Sequence, residues 1–269
     1  MFHKEDFDNG NSFDWGLASA EYAKYRNDYP EEMWKYMLGY IPDRENGARL
    51  LDLGTGTGII ARRLKQRDGK LNITAIDAVE NQIASARFMC EQEGIDGIDF
   101  RVMTAERLSE FEDNSFDAVT ACQCFCYFDH DIVAPEIARV LRPGGRLIIA
   151  YISWLPFESE TAMASEKLML SYNPQWTGHS HVLKPVGSHH ELYDTLFRQV
   201  GDVCERVNVP YTRESWNGRI CACRAILPSL PADVCAEFSH EHLKLLESIT
   251  SESFDIVHGL SMAALEPIK

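Results

Sequence analysis

Gly54, Gly56 and Gly58 stand at every second position within "RLLDLGTGTGIIARRL", with Asp52 two positions ahead of the first and Asp77 19 residues beyond the last. Glycines so spaced let a strand turn sharply, let a ligand lie against the main chain without meeting a β-carbon, and leave a helix N-terminus open. A carboxylate at the tip of the following strand can accept both hydroxyls of a ribose. Aspartate is also a residue favoured at the start of any helix, so capping is the competing reading of Asp77. Two carboxylates suit a ligand with positive charge and hydroxyls, and suit a pyrophosphate poorly. The G-x-G-x-G spacing likewise differs from the G-x-G-x-x-G of dinucleotide sites.

Such a loop needs a strand before it and a helix after it. Leu50, Leu51 and Leu53 read as a short buried strand, and Ile59, Ile60 and Leu64 alternate with Arg62, Arg63 and Lys65 as a helix with one apolar face. The same reading predicts strands near 49–53, 72–76, 98–103, 116–121 and 146–152, and helices near 31–39, 58–66, 80–93 and 131–141. Pro30 followed by Glu31 and Glu32 is a suitable helix start. The alternation lapses over 153–200. Two final strands, 203–211 and 253–260, and helices near 215–227 and 233–247 complete the count. The expectation is an α/β, Rossmann-like, mostly parallel seven-stranded sheet with helices on both faces and a small cap insertion. It divides into an N-terminal helical lid segment (1–48), the core (49–152), a cap or substrate insertion (153–200) and C-terminal elements that complete sheet and cap (201–269).

Further segments occur in order: "SAEYAKYRNDYP" at 19–30, "VMTAERL" at 102–108, "SFDAVTACQCFCYFD" at 115–129 and "LRPGGRLII" at 141–149. Together with the glycine loop they resemble the class I S-adenosylmethionine-dependent methyltransferases, in particular the small-molecule group that includes ubiquinone/menaquinone-biosynthesis and trans-aconitate methyltransferases. The resemblance spans about residues 13 to 152 and is weaker beyond. It implies S-adenosylmethionine as cofactor, with S-adenosylhomocysteine as product. By the same resemblance Asp52, Gly54, Thr55, Gly56 and Gly58 surround the methionine part and Asp77 holds the ribose. Ala78, Ala105 and Glu106 lie near the adenine, Cys122 and Gln123 lie where the fourth strand passes the sulfonium, and Arg142–Gly145 form the turn before the fifth strand. In the N-terminal segment it makes Tyr22 a catalytic, Tyr25 a cofactor-binding and Arg26 a substrate-binding candidate. An amphipathic helix that caps the sheet accounts for these three equally well.

A sulfonium is already an activated electrophile, so the protein must hold a nucleophile in line with the methyl group and exclude water. No catalytic triad is needed, and the sequence contains none. A small-molecule acceptor is expected among the aromatic residues: Phe125, Tyr127, Trp154, Tyr172, Trp176 and Trp216 are candidates to wall an apolar pocket, though aromatics equally fill ordinary cores. Arg213 and Arg219, six apart around Trp216, suit a carboxylate on that acceptor or surface ion pairs. His130, His258 and Tyr127 are candidate general bases.

Cys122, Cys124 and Cys126, Cys221 and Cys223, and His179, His181, His189 and His190 raise the question of a metal. C-x-C is not a usual zinc spacing and the histidines carry no carboxylate pattern, so no metal is expected. The alternate cysteines read instead as small apolar residues at a strand end, with a thiol pocket for a soft substrate as the rarer alternative.

Lys and Arg number 26 against 41 Asp and Glu, a formal charge of −15, which argues against a partner with a phosphate backbone. The N-terminal residues show no basic region followed by an apolar one, and no run approaches membrane-spanning length, so a cytoplasmic monomer or homodimer is expected. The eight cysteines are expected to remain thiols. A cofactor-binding protein without transferase activity, serving as a sensor or assembly partner, is the second reading.

Overall fold

The leucines of β1 (Arg49–Leu53) are all buried, as is every residue of β4 (Phe116–Cys122), because both strands are covered on two faces. Residues 7–18, 21, 24, 25, 28–186 and 191–269 are described by a computed structural model. Strands β1, β2 (Asn72–Asp77), β3 (Ile98–Val102), β4, β5 (Leu141–Trp154), β6 (Phe197–Thr212) and β7 (Ser253–Pro267) form one seven-stranded sheet in the order β3-β2-β1-β4-β5-β7-β6. β1 pairs in parallel with β2 and β4, β2 with β3, and β4 with β5. Arg146 meets Glu266 at 2.6 Å while the Leu155 N–H bonds Val257 O at 2.9 Å, so β7 runs against β5. The fold is thus α/β and Rossmann-like, with a mostly parallel sheet.

Helices α1 (Glu31–Tyr40), α2 (Ile59–Arg67), α3 (Glu80–Glu93) and α4 (His130–Val140) accompany the parallel strands. They lie within one residue of the spans read from their apolar periodicity. Later elements are α5 (Glu160–Tyr172), α6 (Glu191–Leu196), α7 (Arg213–Cys221) and α8 (Ala232–Ile249). β6 and β7 are both longer than the sequence suggests. β6 is an edge strand whose exposed Arg198, Gln199 and Asp202 break the apolar pattern that marks a buried strand. Arg142–Gly145 form not a turn ahead of β5 but an irregularity within it: Phe116 pairs with Leu141 and Ala118 with Arg146, so these four residues bulge out.

The chain divides into two compact units. The first comprises residues 29–152, 184–205 and 260–269. Its core is built by Leu51, Leu53, Val119 and Ala121 from the strands and by Phe125, Val133 and Ile137 from beyond β4. Residues 29–48, expected in an N-terminal lid, belong here because α1 buries Met33, Trp34 and Met37.

The second unit comprises the described residues among 1–28 together with 153–183 and 206–259. Trp216 is the largest fully buried side chain among its described residues, edge-on to Trp154 (5.6 Å) and Tyr211 (4.8 Å). Its N–H donates to Ser165 Oγ at 2.9 Å, and that oxygen lies 2.9 Å from His242 Nε2. A buried ion pair of Asp8 with Arg224 (2.9 Å), flanked by the rings of Phe7 and Phe13, holds the N-terminal segment to this unit. Among the described residues no helix is long and apolar enough to cross a membrane.

Candidate functional site

The strand order turns back at β1 and β4: β2 and β3 lie to one side and β5 onward to the other. At such a switch point the loops leaving the carboxyl ends of the two central strands diverge and leave a crevice, the usual ligand position in open α/β sheets. The loop leaving β1 carries the three glycines. The segment leaving β4 carries Gln123 and Cys124.

Asp52, only 1 % exposed, is satisfied by two hydroxyls. Thr55 Oγ1 donates to its Oδ2 and Thr120 Oγ1 to its Oδ1, both at 2.6 Å. Burial pushes this carboxyl up to about 6, against the two hydrogen bonds that hold it down. The loop that follows is tied to β2 by Thr55 N–H to Ile76 O at 2.9 Å.

All three glycines adopt left-handed φ, +57°, +57° and +76°, but they face different surroundings. A β-carbon on Gly54 would lie 2.8 Å from Cys124 Cβ, and one on Gly58 would lie 2.9 Å from Ala86 and 3.1 Å from Phe100. These two are glycines because protein packs against them. A β-carbon on Gly56 would meet only Gln82 Oε1, at 3.7 Å. Of the three, Gly56 is therefore the one that no neighbour crowds.

Asp77, at the tip of β2, accepts the Gly56 N–H at Oδ2 and the Val79 N–H at Oδ1, each at 2.9 Å. One oxygen holds the chain entering α3, whose N-cap Val79 has no side-chain capping bond, and the other reaches the glycine loop. Burial raises its pKa, with the two backbone N–H groups opposing. Ala78 beside it is exposed, and Met103 N–H bonds Asp77 O at 2.9 Å, which brings the end of β3 alongside. Ala105 is buried at the start of the 3-10 turn Ala105–Glu110, and the Glu106 carboxylate accepts the Asp129 N–H at 3.2 Å. Asp52, Gly54, Thr55, Gly56, Gly58, Asp77, Ala105 and Glu106 are thus joined through strand tips and short hydrogen bonds within one unit.

At the end of β4, Cys122 is buried with its sulfur 3.7 Å from the Tyr29 hydroxyl. Gln123 has a left-handed φ of +65° and turns its amide to donate to Ile152 O. Phe125 is core, 1 % exposed, rather than a pocket wall. Half-buried Tyr127 and His130 follow; His130 Nδ1 lies 3.1 Å from the hydroxyl of buried Tyr193, whose pKa burial raises.

Sequence reasoning missed Thr120 and Tyr193, and read Cys124 only as a small apolar residue or a member of a thiol pocket. Thr120 had a signal, a hydroxyl within the buried run Ala118–Cys122.

The aromatic candidates other than Phe125 and Tyr127, together with Arg213 and Arg219, lie in the other unit and are largely committed there. Trp154, Trp176 and Trp216 are 5 %, 2 % and 0 % exposed, so they form interior and not an open wall. Trp154 Nε1 donates to Glu166 Oε1 at 2.7 Å, and Tyr172 donates to Glu241 at 2.8 Å. Arg213 binds Thr250 O and Glu252, and the Arg219 guanidinium lies 5.2 Å over the Trp154 ring. His258 is buried, its Nδ1 2.9 Å from Ile256 O and its ring stacked on Tyr211. The Tyr25 ring packs flat against Gly218, with its hydroxyl 3.3 Å from Glu214. Tyr22, Arg26, His189 and His190 lie outside the described residues. Among the described residues, no three His, Cys, Asp or Glu side chains converge as metal ligands.

Comparison with known proteins returns the same segment. Residues 51–149 match the methyltransferase domain family. Over 136 residues the chain is 35 % identical to the methyltransferase Rv3342 of Mycobacterium tuberculosis, covering 51 % of each. Over 103 residues it is 39 % identical to the demethylmenaquinone methyltransferase of Thermus thermophilus, covering 38 % of this chain and 46 % of that one. The chain thus spans about half the length of these curated relatives. The crystal structure of the YcgJ protein from Bacillus subtilis superposes with a TM-score of 0.55 at 20 % identity, covering 89 % of this chain and all of that one, which extends the likeness of fold beyond the matched segment. Residues 51–149, which hold the switch point of the sheet, the glycine loop and Asp77, thus match a methyltransferase domain, in keeping with the resemblance to the class I, S-adenosylmethionine-dependent enzymes.

Proposed function

We propose that this protein transfers a methyl group from S-adenosylmethionine to a small-molecule acceptor. The observation that carries the reading is the link from Asp77 through the Gly56 N–H into a loop whose only open glycine is Gly56, at the switch point of the sheet. The residues fit the cofactor. A carboxylate at the β2 tip suits ribose hydroxyls, the bare backbone at Gly56 admits close approach, and Asp52 sets negative charge beneath a site for a cation. When bound, the cofactor supplies a methyl group on a sulfonium, already activated for attack.

What remains for the chain is to bind, orient and exclude water. Asp52 and Asp77 hold the loop that orients the donor. On the β4 side, Tyr127 and His130 are the candidates to face an acceptor, and His130, braced at Nδ1 by Tyr193, is the candidate to take a proton from an oxygen or nitrogen acceptor. The formal charge of −15 supports a small acceptor over a nucleic acid.

The test has two stages. Titration calorimetry is expected to detect S-adenosylhomocysteine and no NAD; binding of NAD alone would overturn the cofactor assignment. A metabolite extract with donor labelled in the methyl group is expected to yield a labelled product. Binding without any labelled product would favour the sensor reading.

A further inference from the structure

The segment that leaves β4 does more than continue the chain to α4. Gln123 takes a left-handed φ of +65°, a conformation that residues other than glycine adopt at a cost. Two contacts hold it there: its N–H bonds Ala150 O at 2.9 Å, and its side-chain amide donates to Ile152 O. The reversal directs Cys124 back under the glycine loop. The Cys124 thiol lies 3.0 Å from Leu53 O, the carbonyl immediately before Gly54, and its Cβ and Sγ fill the space that a β-carbon on Gly54 would enter. Burial, reinforced by the negative charge of Asp52, holds this thiol well above its usual pKa, so it is present as S–H and can donate to that carbonyl.

We infer that Gln123 and Cys124 act as a positioning turn for the glycine loop, with the strained Gln123 seating the Cys124 thiol beneath Gly54 and so setting where the loop holds the cofactor. This rests on the cofactor reading above. Neither residue need touch a reacting atom: Cys124 acts through the Leu53 carbonyl and Gly54, and Gln123 acts through Cys124. Size and the donor hydrogen decide whether a substitute works. Serine keeps both, alanine keeps space but loses the donor, and valine adds a branch against a loop already in contact.

The experiment is titration of the full-length chain with S-adenosylhomocysteine for wild type, Cys124→Ser, Cys124→Ala and Cys124→Val, well below each melting temperature, with the folded state verified by circular dichroism. Cys124→Val is expected to weaken binding about tenfold, the scale of overpacking by a methyl-sized branch. Cys124→Ser is expected to stay within about threefold of wild type and Cys124→Ala to fall between them. Equal affinities for wild type and all folded variants, even with altered melting temperatures, would overturn the positioning role and leave the cofactor reading intact. Absence of binding by wild type itself would overturn both. If Cys124→Val does not fold, the alanine and serine variants decide: serine tighter than alanine supports the turn, and equality refutes it.

Discussion

The Thr120 hydroxyl donates to Asp52 Oδ1 at 2.6 Å, joining the two central strands by side chains just where the sheet order reverses. Thr120→Val keeps the shape and removes the bond. It is expected to cost about 1–3 kcal/mol near neutral pH, the penalty of an acceptor left short in a buried site. The sign with pH follows from Asp52. Its carboxyl ordinarily ionises near 3.8 and does so at about 6 in the folded chain, so between these values the folded state binds more protons. Its contribution to stability therefore falls as pH rises from 3.8 to 6 and is flat above. Urea titrations at pH 4 and pH 7 should give a smaller loss for Thr120→Val at pH 4, where Asp52 is neutral; equal losses would remove the link.

Gly56 and Gly58 separate the proposed ligand contact from packing. Gly58→Ala forces a β-carbon to 2.9 Å from Ala86 at a φ of +76°, and should destabilise by about 2 kcal/mol or more, from overpacking together with left-handed strain. Gly56→Ala makes only an ordinary contact with Gln82 and should cost only about 1–2 kcal/mol, from its φ. Affinity for S-adenosylhomocysteine should nonetheless fall further in Gly56→Ala than in any folded Gly58→Ala protein. Calorimetry beside thermal melts tests the ordering, and the reverse order would place the ligand elsewhere.

Asp77→Ala removes the acceptor of two backbone N–H groups as well as the proposed ribose contact. Loss of cofactor affinity by about 1–3 kcal/mol is expected, with a modest drop in melting temperature. An affinity equal to wild type would leave Asp77 a purely local turn residue.

His242 is fully buried in the second unit, with Nδ1 2.8 Å from Asn217 Oδ1, and burial lowers its pKa from 6.5 to about 4. In the folded state it is neutral through this window while the unfolded chain takes up a proton. Its contribution is therefore complete above 6.5, is lost as pH falls from 6.5 to about 4, and levels off below, a total on the order of 3 kcal/mol. This slope is opposite to that of Asp52. The two slopes oppose each other in wild type, so the test is the difference: urea midpoints of His242→Gln should fall less with acid, or rise more, than those of wild type across that range. The same acid slope in both proteins would assign it to another group.

Trp216→Ala should act on folding rather than on acceptor choice. The side chain is fully buried against Trp154 and Tyr211, so a loss of about 3–5 kcal/mol is expected from the cavity. A melting temperature close to wild type would show that the site collapses freely.

The sequence by itself determined the parallel strands, their helices, the glycine loop and its two aspartates, because each depends on residues near one another along the chain. Apolar periodicity marks an element directly, and a turn that needs left-handed φ leaves glycines at fixed spacing. Only the tertiary structure decided which glycine is left uncovered, since that depends on what packs against each: Cys124 on Gly54, Ala86 and Phe100 on Gly58, and at Gly56 only Gln82 at ordinary contact distance. It also decided that Asp52 is held by Thr120, 68 residues away, and that Trp154, Trp176 and Trp216 are interior rather than pocket wall. Aromatic side chains bury the same area in a core as in a binding site, so composition cannot separate the two. The division into two units was equally hidden, because 153–183 and 206–259 are brought together by packing between residues such as Trp154 and Trp216, and packing across such distances leaves no local pattern in the chain.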